Sequence, residues 1–288
     1  MTITNTVISE LTQKQLNAKT IRPIAACAIH GIAFSGELLF GIDSSNGYLL
    51  EIDPLTDNTI IINSHNWSDF VGATGLAVVG DTLWFTAEES VYFCSLSAKD
   101  WHPQLFVRLS YPANGIAVWE STVYVTCQKT GNILVYDRDR ATLITRFYAP
   151  GIGLENITVR GEELWLTDTL EQTVYCLDRA TGKVIFSILT PFESPTGLAF
   201  YTHPETGKET LYVAYANVEP YIRDNPNAEP NYELQYRDRT FIHPLYFHYD
   251  PEKHCALSNG YLVEMSYVEE IAPLDTIEIP NLEWRIAL

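Results

Sequence analysis

Thr74-Gly75-Leu76-Ala77-Val78 decides the fold, because close variants of it recur: His30-Gly31-Ile32-Ala33-Phe34, Asn114-Gly115-Ile116-Ala117-Val118, Glu155-Asn156-Ile157-Thr158-Val159 and Thr196-Gly197-Leu198-Ala199-Phe200. Successive copies begin 44, 40, 41 and 41 residues apart. A period near forty residues marks a repeat architecture. After each copy come a short turn and an apolar run, such as Leu83-Trp84-Phe85 or Leu164-Trp165-Leu166, which reads as a second strand. A third run follows, as in Asn132-Ile133-Leu134-Val135-Tyr136-Asp137. The turn Asp178-Arg179-Ala180-Thr181-Gly182 then leads into a fourth.

Four strands per repeat is a propeller blade, and such a sheet hides its faces only by stacking on its neighbours. The glycines and alanines of the phrase suit innermost strands crowded around an axis. The expected fold is therefore all-β, a single propeller of four-stranded blades. Five blades are expected, closed by an N-terminal strand from residue 20, with a sixth as the alternative if residues 217–259 or the tail add strands. The domain reading is an extension over 1–19, the propeller over 20–267 with an inserted segment at 217–259, and a tail over 268–288. That tail ends on a strand-like run with no stop signal, as in a chain that continues.

Composition narrows the function. Asp and Glu outnumber Lys and Arg by 36 to 18, and the net charge of −18 repels a phosphate backbone, so nucleic acid is not an expected partner. The five cysteines form no C-x-x-C pair, which fits reduced thiols in a reducing compartment. No basic leader with an apolar core opens the sequence, and no apolar run reaches the ~18 residues of a membrane span. The expectation is a cytoplasmic protein without a membrane partner.

Candidate chemistry sits at the residue before each glycine position. His30, Thr74, Asn114, Glu155 and Thr196 should ring one mouth of the central channel, and the loops joining second to third strands add Asp168 and Tyr215. His30 and Glu155 are the candidate acid/base pair, because an imidazole and a carboxylate are costly in a narrow channel unless paired, wet or used. Thr74, Asn114, Thr196, Asp168 and Tyr215 are candidate substrate contacts. For the threonines, bonding to a neighbouring blade is the competing reading. The insertion brings many aromatics, and Tyr236, Phe241 and His243 are its candidate contacts to an apolar or aromatic small molecule. It would act as a lid or, alternatively, as a surface for a protein partner or a second copy of the chain. His243, His248 and His254 lack metal-ligand spacing.

The G-I-A openings and the D-R-A-T-G turn resemble NHL, YncE-like and gluconolactonase (regucalcin)-like propellers over about residues 20–267. That resemblance implies a propeller, and for the lactonase group a divalent cation, calcium or magnesium, at the channel mouth near Glu155 and Asn114; it leaves the full ligand set unknown. Similarity to virginiamycin B lyase and strictosidine-synthase-like propellers implies that such a channel hosts elimination or ring closure. The expected activity is thus that of a lyase, cyclase or lactone hydrolase on a small molecule, with a noncatalytic scaffold as the alternative.

Overall fold

The computed structural model describes residues 13–24, 29–44, 47–53, 60–66, 72–98, 102–190, 194–215, 234–236, 239–241 and 260–270. In chain order the strands are β1 (Gln13–Ile24), β2 (Ile29–Ser35), β3 (Leu38–Asp43), β4 (Tyr48–Asp53), β5 (Ile60–Asn66), β6 (Ala73–Val79), β7 (Thr82–Ala87), β8 (Ser90–Ser95) and β9 (Gln104–Arg108). They continue with β10 (Ile116–Trp119), β11 (Thr122–Cys127), β12 (Asn132–Asp137), β13 (Thr142–Tyr148), β14 (Leu154–Arg160), β15 (Glu163–Asp168), β16 (Thr173–Asp178) and β17 (Val184–Leu189). The last are β18 (Pro195–Thr202), β19 (Glu209–Tyr215), β20 (Leu234–Tyr236), β21 (Arg239–Phe241) and β22 (Gly260–Glu270).

These strands form four-stranded antiparallel sheets in a β-propeller arrangement. Their orders are β2-β3-β4-β5, β6-β7-β8-β9, β10-β11-β12-β13, β14-β15-β16-β17 and β18-β19-β22-β1, with β20 and β21 paired on their own. The first strand of each sheet is innermost. β1 pairs with β22 from Gln13 opposite Glu270 to Ile24 opposite Gly260, so it starts seven positions before the expected boundary at residue 20. Its first half, Gln13-Lys14-Gln15-Leu16-Asn17-Ala18-Lys19, is mostly polar and offers no burial pattern to read.

The middle of each second strand is apolar on both faces because alternate residues feed two different cores. In β7, Leu83 and Phe85 pack toward the sheet before it, while Trp84 packs toward the sheet after it. β11 repeats this with Val123 and Val125 on one side and Tyr124 on the other. β15 does so with Leu164 and Leu166 against Trp165. The period of two that would leave one face of an ordinary sheet wet here fills both sides. Each large side chain so buried is worth about 1.5–3 kcal/mol.

The turns from innermost to second strand need a left-handed residue. Gly36, Gly80 and Gly161 supply it with φ of 62°, 58° and 57°, and in the third sheet Glu120 takes the same conformation at φ 51°. No helix among the described residues is long and apolar enough to cross a membrane.

Candidate functional site at the channel mouth

Inner strands begin with a register break: between Ile29 and Ile32, Ala73 and Leu76, Leu154 and Ile157, and Pro195 and Gly197. A bulge re-aims the side chains around it, and here those are the pre-glycine residues. Neighbouring inner strands then touch. A Cβ on Gly75 would lie 2.5 Å from the Asn114 carbonyl, one on Gly115 2.6 Å from Asn156 Cα, and one on Gly197 2.4 Å from the His30 carbonyl. The phrase keeps glycine because the next blade's backbone occupies the space.

Three threonines of the second strands tie these bulges together. Thr86 Oγ1 accepts the Gly75 N–H at 2.7 Å and donates to the Asn114 carbonyl of the next sheet at 2.7 Å. Thr126 Oγ1 accepts from Gly115 N at 2.6 Å and donates to the Glu155 carbonyl at 2.9 Å. Thr167 Oγ1 accepts from Asn156 N at 3.0 Å. The backbone of Glu155 is thus fixed by a neighbouring blade before its carboxylate does anything.

That carboxylate reaches His30. Nδ1 of His30 lies 3.1 Å from Oε1 of Glu155, and the two side chains keep 23% and 11% of their surface open. They come from β2 and β14, which are not adjacent, so the bond spans the mouth. Asn114 holds the same pre-glycine position; its Oδ1 accepts from the Gln128 N–H at 3.0 Å, which leaves the amide NH2 as the group able to donate.

The other expected contacts are engaged elsewhere. Thr74 Oγ1 donates to the Asn114 carbonyl at 2.7 Å, and Thr196 Oγ1 to the Ile29 carbonyl at 2.7 Å, both bonds between blades. Asp168 is fully buried and accepts from the backbone N–H groups of Gly153, Leu170 and Glu171 at 2.8, 3.0 and 2.8 Å, capping its own loop. Tyr215 lies in the core with Trp165 and Leu198, and burial pushes its phenol far above the usual range. Tyr236 and Phe241 are described only as backbone positions on β20 and β21, and His243 lies outside the described residues.

Asn156 was not singled out by sequence, yet it stands where four copies have glycine. It is fully buried, and its Nδ2 donates to the Thr74 carbonyl at 3.4 Å, again across the axis. Its Oδ1 accepts from the Ile157 N–H at 2.8 Å. The signal for it was the break in the repeat itself. The threonine tie had a signal too: Thr86, Thr126 and Thr167 stand 40 and 41 residues apart.

Among the described residues no group of three or more His, Cys, Asp and Glu side chains is placed to hold a metal ion. At the mouth, one imidazole and one carboxylate already satisfy each other, a poor match to the several oxygen ligands of calcium or magnesium.

Fold and mouth together define a β-propeller whose channel opens beside an imidazole–carboxylate pair. No family model matches the chain, and no curated protein matches it in sequence. Among solved structures, glutaminyl cyclase of Myxococcus xanthus is similar over 89% of this chain and 97% of its own, with a TM-score of 0.60 and 14% identity. A streptogramin B lyase is similar over 69% and 66%, with a TM-score of 0.43 and 16% identity. The first likeness is one of fold.

Proposed function

We propose that the chain is an acid/base enzyme acting on a small molecule at the channel mouth, with ring closure as its reaction. The observation that carries this is the 3.1 Å contact between His30 and Glu155, two groups 125 residues apart that meet across the opening and stay partly accessible. When Nδ1–H donates to the carboxylate, Nε2 holds the lone pair and serves as the base. It would take a proton from an attacking amine as that nitrogen bonds to a carbonyl carbon. The same proton would go to the departing nitrogen as its bond to that carbon breaks. The Asn114 amide is the donor available to the carbonyl oxygen as charge develops on it. The same reading takes the ring as five blades, with β1 as the outer strand of the last.

The full-length likeness to a glutaminyl cyclase makes glutaminyl peptides the first substrates to try, with ammonia release as the readout. Activity should fall about 100- to 10,000-fold in His30→Ala and in Glu155→Ala, with Tm close to wild type. Full turnover in both variants, or a large loss of stability with turnover intact, would reduce the pair to a structural clasp.

A further inference from the structure

Below the bulges the channel holds a second compartment. A cavity of about 490 Å³ lies at the end where inner strands turn into second strands, and its lining draws on all the inner strands. Ala33, Ala77, Ala117 and Ala199 contribute to it from the fourth position of the repeated phrase, and Thr158 holds that position in the remaining copy. None of the pre-glycine residues lines it. Between this cavity and the mouth stand the glycine contacts, at 2.4–2.9 Å for an added Cβ, and the Asn156 amide bonded across the axis. The two compartments therefore open on opposite faces.

We infer that the lower compartment is a separate binding site for a small, uncharged, flat molecule with an apolar body and one polar group, which the Thr158 hydroxyl holds. The volume falls in the range of small-ligand pockets, ~300–1,000 Å³. The side chains that line it are apolar or aromatic apart from Thr158 and Glu120, with polar backbone sharing the surface. An anion would meet the Glu120 carboxylate and lose its hydration without recompense, while a neutral apolar body with one polar group is accommodated. Thr158 is half-buried, and its hydroxyl has no hydrogen-bonding partner among the described residues. In a ring otherwise made of alanine, that single hydroxyl gives a ligand its orientation. An N–H can donate to it and a carbonyl can accept from it.

Indole, 2-naphthol and coumarin, titrated separately and followed by ligand-observed NMR and calorimetry, form the test. At least one should bind saturably with submillimolar affinity. Thr158→Val keeps the shape and removes the hydroxyl, so affinity should fall about three- to tenfold, the worth of one hydrogen bond. Thr158→Trp fills the cavity and should abolish binding. His30→Ala should leave the affinity unchanged, because the waist separates the compartments, and this arm holds whether or not the mouth is catalytic. The inference is overturned if none of the three probes saturates on wild type. It is also overturned if affinity is the same in wild type, Thr158→Val and Thr158→Trp, or if His30→Ala removes binding. If Thr158→Trp fails to fold, Thr158→Val and His30→Ala still decide the matter.

Discussion

The sheets β10–β13 and β14–β17 are built on one plan and differ where the channel runs. Asn114-Gly115-Ile116-Ala117 in the third sheet becomes Glu155-Asn156-Ile157-Thr158 in the fourth. The shared isoleucines, Ile116 and Ile157, are both buried in the blade cores. Every other position changes toward polarity, and each change lands at a different level: Glu155 at the mouth, Asn156 at the waist, Thr158 in the lower cavity. Of the changed positions only Ala117, which becomes the half-buried Thr158, belongs to a blade core, so strand pairing and most of the core packing are kept. One blade can thus carry the polar groups of the channel while its neighbour keeps the generic repeat.

The comparison breaks most sharply at the glycine position. Gly115→Val should destabilise by about 3 kcal/mol or more in urea unfolding, since its Cβ would meet Asn156 Cα at 2.6 Å and the Glu155 carbonyl at 2.8 Å, both backbone. Next comes the tie between the two sheets. Thr126→Val keeps the shape but leaves the Gly115 N–H and Glu155 carbonyl without their buried partner, at a cost of about 1–3 kcal/mol by the same measurement.

Making the fourth sheet like the third is milder. Asn156→Gly loses a weak bond across the axis and one to its own strand, and should cost about 1 kcal/mol in a thermal melt. If it instead costs as much as Gly115→Val, the waist is built by this amide and not by the glycine contacts. The third sheet has its own exception in Glu120, left-handed at φ 51° where three other turns have Gly36, Gly80 and Gly161. Glu120→Gly should stabilise by up to about 1 kcal/mol.

The smallest effect concerns a thiol of the second sheet, where the same packing excludes water. Burial pushes Cys94 up to about 11, so the folded protein holds its proton more tightly than the unfolded chain does. The stability it contributes is whole below the ordinary thiol range and fades as pH rises toward about 11. A disulfide reagent at neutral pH should leave Cys94 unmodified until denaturant is added.

Much of this was legible in the sequence because the repeat carries its own alignment. Placing His30 and Glu155 on one ring needed only their shared position before the glycine site. Their direct bond was not legible, since 125 residues separate them and only the closing of the channel sets the distance. Thr86, Thr126 and Thr167 escaped notice for a different reason. A β-branched residue in a second strand already has an explanation as a strand former, and the hydroxyl's two partners belong to tertiary structure. Thr74, Thr196 and Asp168 look like ligand contacts in one dimension. In three dimensions their oxygens face backbone groups of neighbouring strands and loops, and no local pattern distinguishes the two cases.

The pairing of β1 with β22 joins residues near position 13 to residues near position 270, which imposes an order on synthesis. As the chain leaves the ribosome, the sheets of residues 29–189 can each assemble from local hairpins, but β1 has no partner until Gly260–Glu270 emerges. Contacts so distant in sequence are slow to form, and an unpaired strand edge invites the wrong neighbour meanwhile. A ribosome stalled before residue 260 should therefore carry the four sheets of residues 29–189 with β1 still unpaired and adhesive, and the protein's demand for chaperones should fall within the span of one strand's translation.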